Sequence, residues 1–337
     1  MNFTTVYNLL NMKSILLFLV FALSIHNNNA QKQNKIIVAQ DGSGDFATVQ
    51  SAIDAVDSSK VAVLIYIKNG IYKEKVVIPS SKPRLTLLGE DREKTIITND
   101  DYSGKANPNS KRNYGTSDSY TLLIRADDVR ISNLTIKNSS CNQGQAVSLH
   151  VKGTRFSIKN SNILGCQDTL LTDGDGTYQY YENCYIDGTT DFIFGPATAV
   201  FKDCIINSKK DSYITAASTP ENQKFGYVFM NCKLIADTNV TKVFLGRPWR
   251  PYAKTVFIAC DLAHHILQEG WNPWKDERFA DKTKTAFYAE YKNKGRGAKT
   301  DKRVTWSHQL SKVEAEKYTL KNIFAKDNFW KTLKDKK

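Results

Sequence analysis

The sequence predicts an all-β fold, a single-domain parallel β-helix with a short N-terminal capping helix. Three observations carry the prediction: a six-residue phrase recurring at the period of a stacked solenoid, Asp-Gly dipeptides where coils must bend, and scarce helical periodicity.

The phrase reads ISNLTI (131–136), IKNSNI (158–163), YENCYI (181–186), FKDCII (201–206), FMNCKL (229–234) and FIACDL (257–262). Its fifth positions lie 27, 23, 20, 28 and 28 residues apart, a spacing at which each coil adds one rung that pairs with the backbone of the rung before it. Within a rung, apolar residues point inward and polar ones outward, so alternation is expected without hairpin signals. Asp173-Gly174, Asp175-Gly176 and Asp187-Gly188 supply the bends. The clearest helical pattern, Ala47 to Val56, sets Val49, Ile53 and Val56 on one face and is placed to cover the open first coil against edge pairing.

Cys184, Cys204, Cys232 and Cys260 hold the fourth position of successive phrases and are expected to stack as a ladder. Adjacent rungs, about 4.8 Å apart, lie within the Cα separation a disulfide tolerates. Cys184 with Cys204 has the shortest insertion between rungs; free buried thiols are the alternative.

Met12 to Ala30, with Lys13 ahead of an apolar run over 15–23, reads as a signal peptide. Residues 1–30 are therefore assigned to export, and 31–337 to the β-helix domain, with six cysteines suited to an oxidising compartment. The apolar run is shorter than the roughly 20 residues a membrane span needs, so no stable insertion is expected. A net charge of +13 suits a polyanion. Nucleic acid, anionic lipid and acidic polysaccharide all qualify by charge, but an exported protein meets mainly the last two.

For chemistry, no GxSxG elbow, HExxH or phosphate-binding glycine loop is present, and His150, His264, His265 and His308 lack the neighbours of a triad or metal cluster. Carboxylates in apolar context are the better lead. Asp191 lies in GTTDFIFG (188–195), where a charge among Phe192, Ile193 and Phe194 must be paired or functional. Asp168 lies in GCQDTLL (165–171), 23 residues earlier, about one coil, which places the two carboxylates on neighbouring rungs. Two such groups cannot both ionise freely, so one is driven towards the protonated form. Arg247, in LGRPWR (245–250), is a candidate partner for one of them; the alternative is a solvated surface charge.

These segments, together with GIYKEKV (70–76), QAVSLH (145–150), IDGTTDFIFG (186–195), GWNPW (270–274), FYAEYKNKGRGA (287–298) and RVTW (303–306), resemble the pectin methylesterases from about Lys35 to Trp330. The resemblance implies a right-handed, pectin-lyase-like β-helix. It also implies a secreted, cofactor-free and metal-free monomer that demethylates polygalacturonate, the homogalacturonan of pectin, and binds no nucleic acid. Asp191 matches the nucleophile and Asp168 the general acid that then activates water. Gln145 and Gln167 match the oxyanion donors, and Arg247 the residue that orients Asp191. Trp249, Trp271 and Phe194 match cleft aromatics, with Thr116, Gln145 and Arg247 among the substrate contacts.

The sequence departs from the family pattern at several points. Leu171 stands where an aromatic is usual, His150 where arginine is more usual, and Pro196 where asparagine is common. Two extra residues separate Asp168 from Asp191, absorbed by the Asp-Gly turns at 173–176. Strict alternation also puts Phe194 on the face opposite Asp191, so its cleft role requires the strand to bend near Gly195.

Other readings are a β-helical lyase or glycosidase on the same polymer, since paired carboxylates also cleave glycosidic bonds, an envelope thioesterase of the same fold, and a non-catalytic polysaccharide-binding solenoid. Asn133, Asn138 and Asn239 begin glycosylation sequons, although repeat-phase asparagines could equally be structural.

Overall fold

A computed structural model describes residues 34–57 and 61–333, and the segment read as a signal peptide lies outside them. Each central coil contributes one short strand to each of three parallel sheets, of eleven, eight and seven strands. One coil runs Phe156–Lys159, Asn162–Leu164 and Leu170–Thr172 before Tyr178–Glu182 begins the next.

The register follows the recurring phrase. Thr135 pairs with Asn162, Asn162 with Tyr185, Tyr185 with Ile205, Ile205 with Lys233 and Lys233 with Asp261, all fifth positions. First positions point inward and stack: Tyr181 on Phe201, Phe201 on Phe229 and Phe229 on Phe257, with ring centroids 4.6, 4.5 and 4.3 Å apart. Third positions make the corner between two sheets. Asn133, Asn160, Asn183, Asp203, Asn231 and Ala259 all have φ between 48° and 60°. Asn and Asp tolerate this left-handed conformation better than other non-glycine residues, which explains why the phrase keeps them there. Two of the sequon asparagines hold the backbone of neighbouring coils. Asn133 Nδ2 donates to Gly89 O, and buried Asn138 Nδ2 donates to three carbonyls.

The capping helix, α1, spans Val49–Ala55 and buries Val49, Ala52 and Ile53. Thr48 caps it, its side chain accepting from Ser51 N. Glu74 of GIYKEKV accepts from the amides of Val49 and Gln50, supplying a carboxylate to donors that a first turn leaves unpaired. At the other end of the chain, the short helices α2 (Lys312–Ala315) and α3 (Leu320–Ile323) precede Phe324 and Phe329. Ile323, Phe324, Phe329 and Leu333 pack on Tyr180, Val200 and Val228 of the eleven-stranded sheet. Among the described residues no helix is long and apolar enough to cross a membrane.

The disulfide expectation is corrected. Cys184, Cys204, Cys232 and Cys260 do form a buried ladder, but all four are free. Equivalent positions on in-register parallel strands aim their Cβ atoms the same way, whereas a disulfide needs them to converge. Each thiol instead donates to a carbonyl of the rung before it, as Cys204 does to Tyr181 O and Cys232 to Phe201 O. The oxidised pair is Cys141–Cys166, the two cysteines outside the ladder, with Cα atoms 5.3 Å apart. It ties down the segment just ahead of Gln167 and Asp168.

Candidate active site

The outer face of the seven-stranded sheet carries the site. Five of its adjacent strands are Leu149–Val151, Leu170–Thr172, Ile193–Gly195, Tyr213–Ala217 and Phe244–Pro248. Leu170 pairs with Ile193 and Leu171 with Phe194, and the same offset sets Asp168 beside Asp191. Both aspartates precede their strands in the left-handed region, at φ 64° and 49°. Each amide donates one rung onward, Asp168 N to Thr190 O and Asp191 N to Tyr213 O, so these two coils share the kink. Aspartate is one of the few residue types with a tolerance for this backbone, and such strain concentrates at functional sites.

The kink resolves the conflict over Phe194. Phe192 and Ile193 both enter the core, and Phe194 faces outward with Asp191. Alternation therefore breaks ahead of the strand, at Asp191, where the sequence suggested a bend near Gly195. Gly188 makes the turn possible, since a Cβ there would collide with the Phe192 side chain.

Arg247 pairs in register with Ala216, which pairs with Phe194. From there its guanidinium grips Asp191 as a fork, Nε to Oδ1 at 2.9 Å and Nη2 to Oδ2 at 2.6 Å. The planar group lies 3.8 Å from the Tyr213 ring centroid and 3.7 Å from that of Trp274. Stacking on two rings leaves it little freedom to turn away from the carboxylate.

Asp168 and Asp191 are 5% and 7% exposed, and this shapes their protonation. Burial, reinforced by the charge of Asp191, drives Asp168 well above the usual carboxylate range, against the opposing pull of Arg247 and Gln145. Burial also raises Asp191, but the Arg247 hydrogen bonds and charge oppose it directly. Of the two, Asp168 is pushed further towards the protonated form, while the Arg247 fork favours the anion of Asp191.

A cavity of about 650 Å³ gathers Thr116, Gln145, Asp168, Asp191, Phe194, Trp249 and Trp274. Thr116 Oγ donates to Gln145 Oε1 at 2.9 Å, which fixes the amide with its NH2 directed into the site, where it hydrogen-bonds Asp168. Leu171, in place of an aromatic, forms an apolar floor with Phe194 and Val147. Gln167 is half-buried beside Asp168 but is not among the residues lining this cavity, and its backbone carbonyl accepts from Ala146 N.

Trp271 requires correction. It is fully buried, bridged to Gly246 and packed 4.6 Å from Tyr288 and 5.8 Å from Phe257, so it is core and not cleft. Trp274 of the same GWNPW segment lines the cavity instead, held at φ 42° with its amide donating to Asn272 Oδ1. Sequence reasoning missed Trp274 and Tyr213. Two tryptophans three residues apart carry no signal as to which joins the core stack.

Comparison with known proteins agrees with this architecture. The family model described as Pectinesterase matches residues 35–328. A pectinesterase of Petunia integrifolia is 35% identical over 311 residues, covering 87% of this chain and 80% of its own. Among solved structures, a pectin methylesterase from carrot superposes with a TM-score of 0.80 at 32% identity, covering 88% of this chain and 95% of that one. A pectin methylesterase in complex with a hexasaccharide gives 0.77 at 30% identity, over 86% of this chain and 97% of that one. This chain belongs to the pectinesterase family.

Proposed function

We propose that this chain, exported by its N-terminal segment, hydrolyses the methyl esters of polygalacturonate in cell-wall pectin to acid and methanol. One observation supports the reading above all others: a guanidinium-locked aspartate beside a second aspartate whose carboxyl is driven towards the neutral form, in one cavity.

In this scheme an Asp191 oxygen attacks the ester carbonyl carbon, with Arg247 keeping the weak nucleophile ionised and aimed. The Gln145 amide, neutral and preorganised by Thr116, donates to the tetrahedral oxyanion without quenching the attacking anion. Collapse breaks the bond to the methoxy oxygen, which leaves as methanol with the Asp168 proton. Asp168, now ionised, takes a proton from water as that water attacks the acyl group on Asp191, and both side chains return to their starting forms.

The decisive assay follows methanol, acid and chain length together on methylated pectin. Methanol and acid in equal amounts with chain length unchanged are expected, whereas chain scission without methanol overturns the proposal in favour of a lyase or glycosidase. Gln145→Ala is expected to lower kcat by roughly 100-fold, the usual cost of one oxyanion donor. A change confined to KM would make Gln145 a binding residue. Gln167→Ala, made in parallel, separates the two glutamines, because only Gln145 lines the cavity.

A further inference from the structure

Two departures from the family pattern meet at one rim of the cavity. The turn over 173–176, which absorbs the two extra residues, lines it with Asp173 and Asp175. His150, standing where arginine is more usual, anchors that turn. Its Nε2 lies 2.9 Å from Asp173 Oδ2 and its Nδ1 3.1 Å from Ser117 O. Both ring nitrogens thus face oxygen atoms of the chain, which ties the imidazole to the turn and to the segment of Ser117 together. Lys152 Nζ lies 3.3 Å from the same carboxylate, and Gly174 N donates to its other oxygen. At the far end of the turn Gly176 N donates to Gln223 Oε1, whose amide group donates to Pro196 O and Phe225 O.

Fastened at both ends, the turn presents one carboxylate without an ion pair. Asp173 pairs with Lys152 and is hydrogen-bonded to His150. Asp175 is exposed, has no hydrogen-bond or ion-pair partner among the described residues, and borders both the reaction cavity and an adjoining one of about 690 Å³. The cavity's guanidinium without a carboxylate partner, Arg250, lies over the Trp249 ring. Its coil is reached from that of Asp175 through the pairings Leu171 to Phe194, Phe194 to Ala216 and Ala216 to Arg247. At about 4.8 Å per rung that is roughly 14 Å along the axis, so the acidic rim acts on one side of the catalytic pair only.

We propose that Asp175 is a charge filter on the substrate, disfavouring a free galacturonate carboxylate beside the reacting ester on the Asp168 side and selecting a methyl-esterified neighbour there. The proposal rests on the pectin reading above. The methyl ester is neutral and feels no repulsion. A free carboxylate roughly 6 Å away in water-like surroundings loses about threefold in occupancy. His150 and Asp173 are positioning residues that keep the rim in place.

The test compares kcat/KM for methanol release on pectins of high and low methyl content and takes the ratio for each variant. The wild-type ratio is expected to fall about threefold in Asp175→Asn, the size of one such charge interaction, and further in Asp175→Lys. Fully de-esterified polygalacturonate should also inhibit both variants more strongly than the wild type. Asp175 is exposed, so thermal unfolding should match the wild type and exclude misfolding as the cause. An unchanged ratio in both variants, with wild-type methanol release intact, overturns the filter alone. Wild-type protein that releases no methanol from either pectin overturns the functional reading and the filter with it.

Discussion

Asp191→Ala is expected to lower methanol release by roughly 10⁴-fold or more, the scale at which removal of a nucleophile leaves only binding and oxyanion contacts to act. Asp191 is the one carboxylate in the cavity held by a guanidinium fork, and the neighbouring Asp168 has no such fork to keep it ionised and aimed. Pectin binding should survive, because the apolar floor and Trp249 do not depend on Asp191. The variant strands Arg247 without its carboxylate, but that guanidinium remains stacked on Tyr213 and Trp274. A folded protein is therefore expected, to be checked by thermal unfolding alongside methanol assay and binding. Near-normal turnover in a folded variant would refute the nucleophile assignment.

Asp168→Asn is expected to act in opposite directions on activity and stability. General acid–base catalysis is typically worth 10²–10⁴-fold, so kcat should fall by about that factor, since an amide cannot give methoxide its proton or take one from water. Stability should rise at neutral pH, and the sign follows from linkage. Burial and the neighbouring Asp191 raise the Asp168 pKa in the folded state above its ordinary value. Below the ordinary carboxylate range both states hold the proton, and Asp168 carries no penalty. Between that range and its raised folded value, the unfolded chain ionises while the folded chain does not, so wild-type stability falls with rising pH by about 1.4 kcal/mol per pH unit. Above the folded value the loss is complete. Asparagine does not titrate, so the variant's advantage in Tm should be small near about pH 3 and grow towards about pH 7. An advantage independent of pH would mean that the carboxyl is not the destabilising feature.

Acid denaturation offers no shortcut to the same conclusion, because Glu182 and Asp101 carry lowered values from paired lysines and contribute the opposite slope. Only the difference between the wild type and Asp168→Asn isolates the one group.

Much of this protein was legible from its residues in order. The six phrases set the register of the stack, because parallel in-register pairing brings every equivalent position together, and so the neighbouring placement of Asp168 and Asp191 was implied by a spacing of one coil. The left-handed corners at the third positions, by contrast, emerged only from the backbone, which then explained why the phrase keeps asparagine or aspartate there. The roles of those carboxylates were not independent of family resemblance, since spacing alone says that two acids are close and not which one keeps the proton.

What tertiary structure decided was direction. A sequence period places residues on a rung but does not say which way a side chain leaves a kinked backbone. That is why Phe194 reached the cavity through the break at Asp191, why Trp271 sank into the core while Trp274 took the face of Arg247, and why Cys141 with Cys166 oxidised in place of the ladder. The upward shift of Asp168 was decided in the same way. It depends on how completely the folded chain removes the carboxyl from water and on which single aspartate the Arg247 fork can reach, and both are properties of the assembled coil.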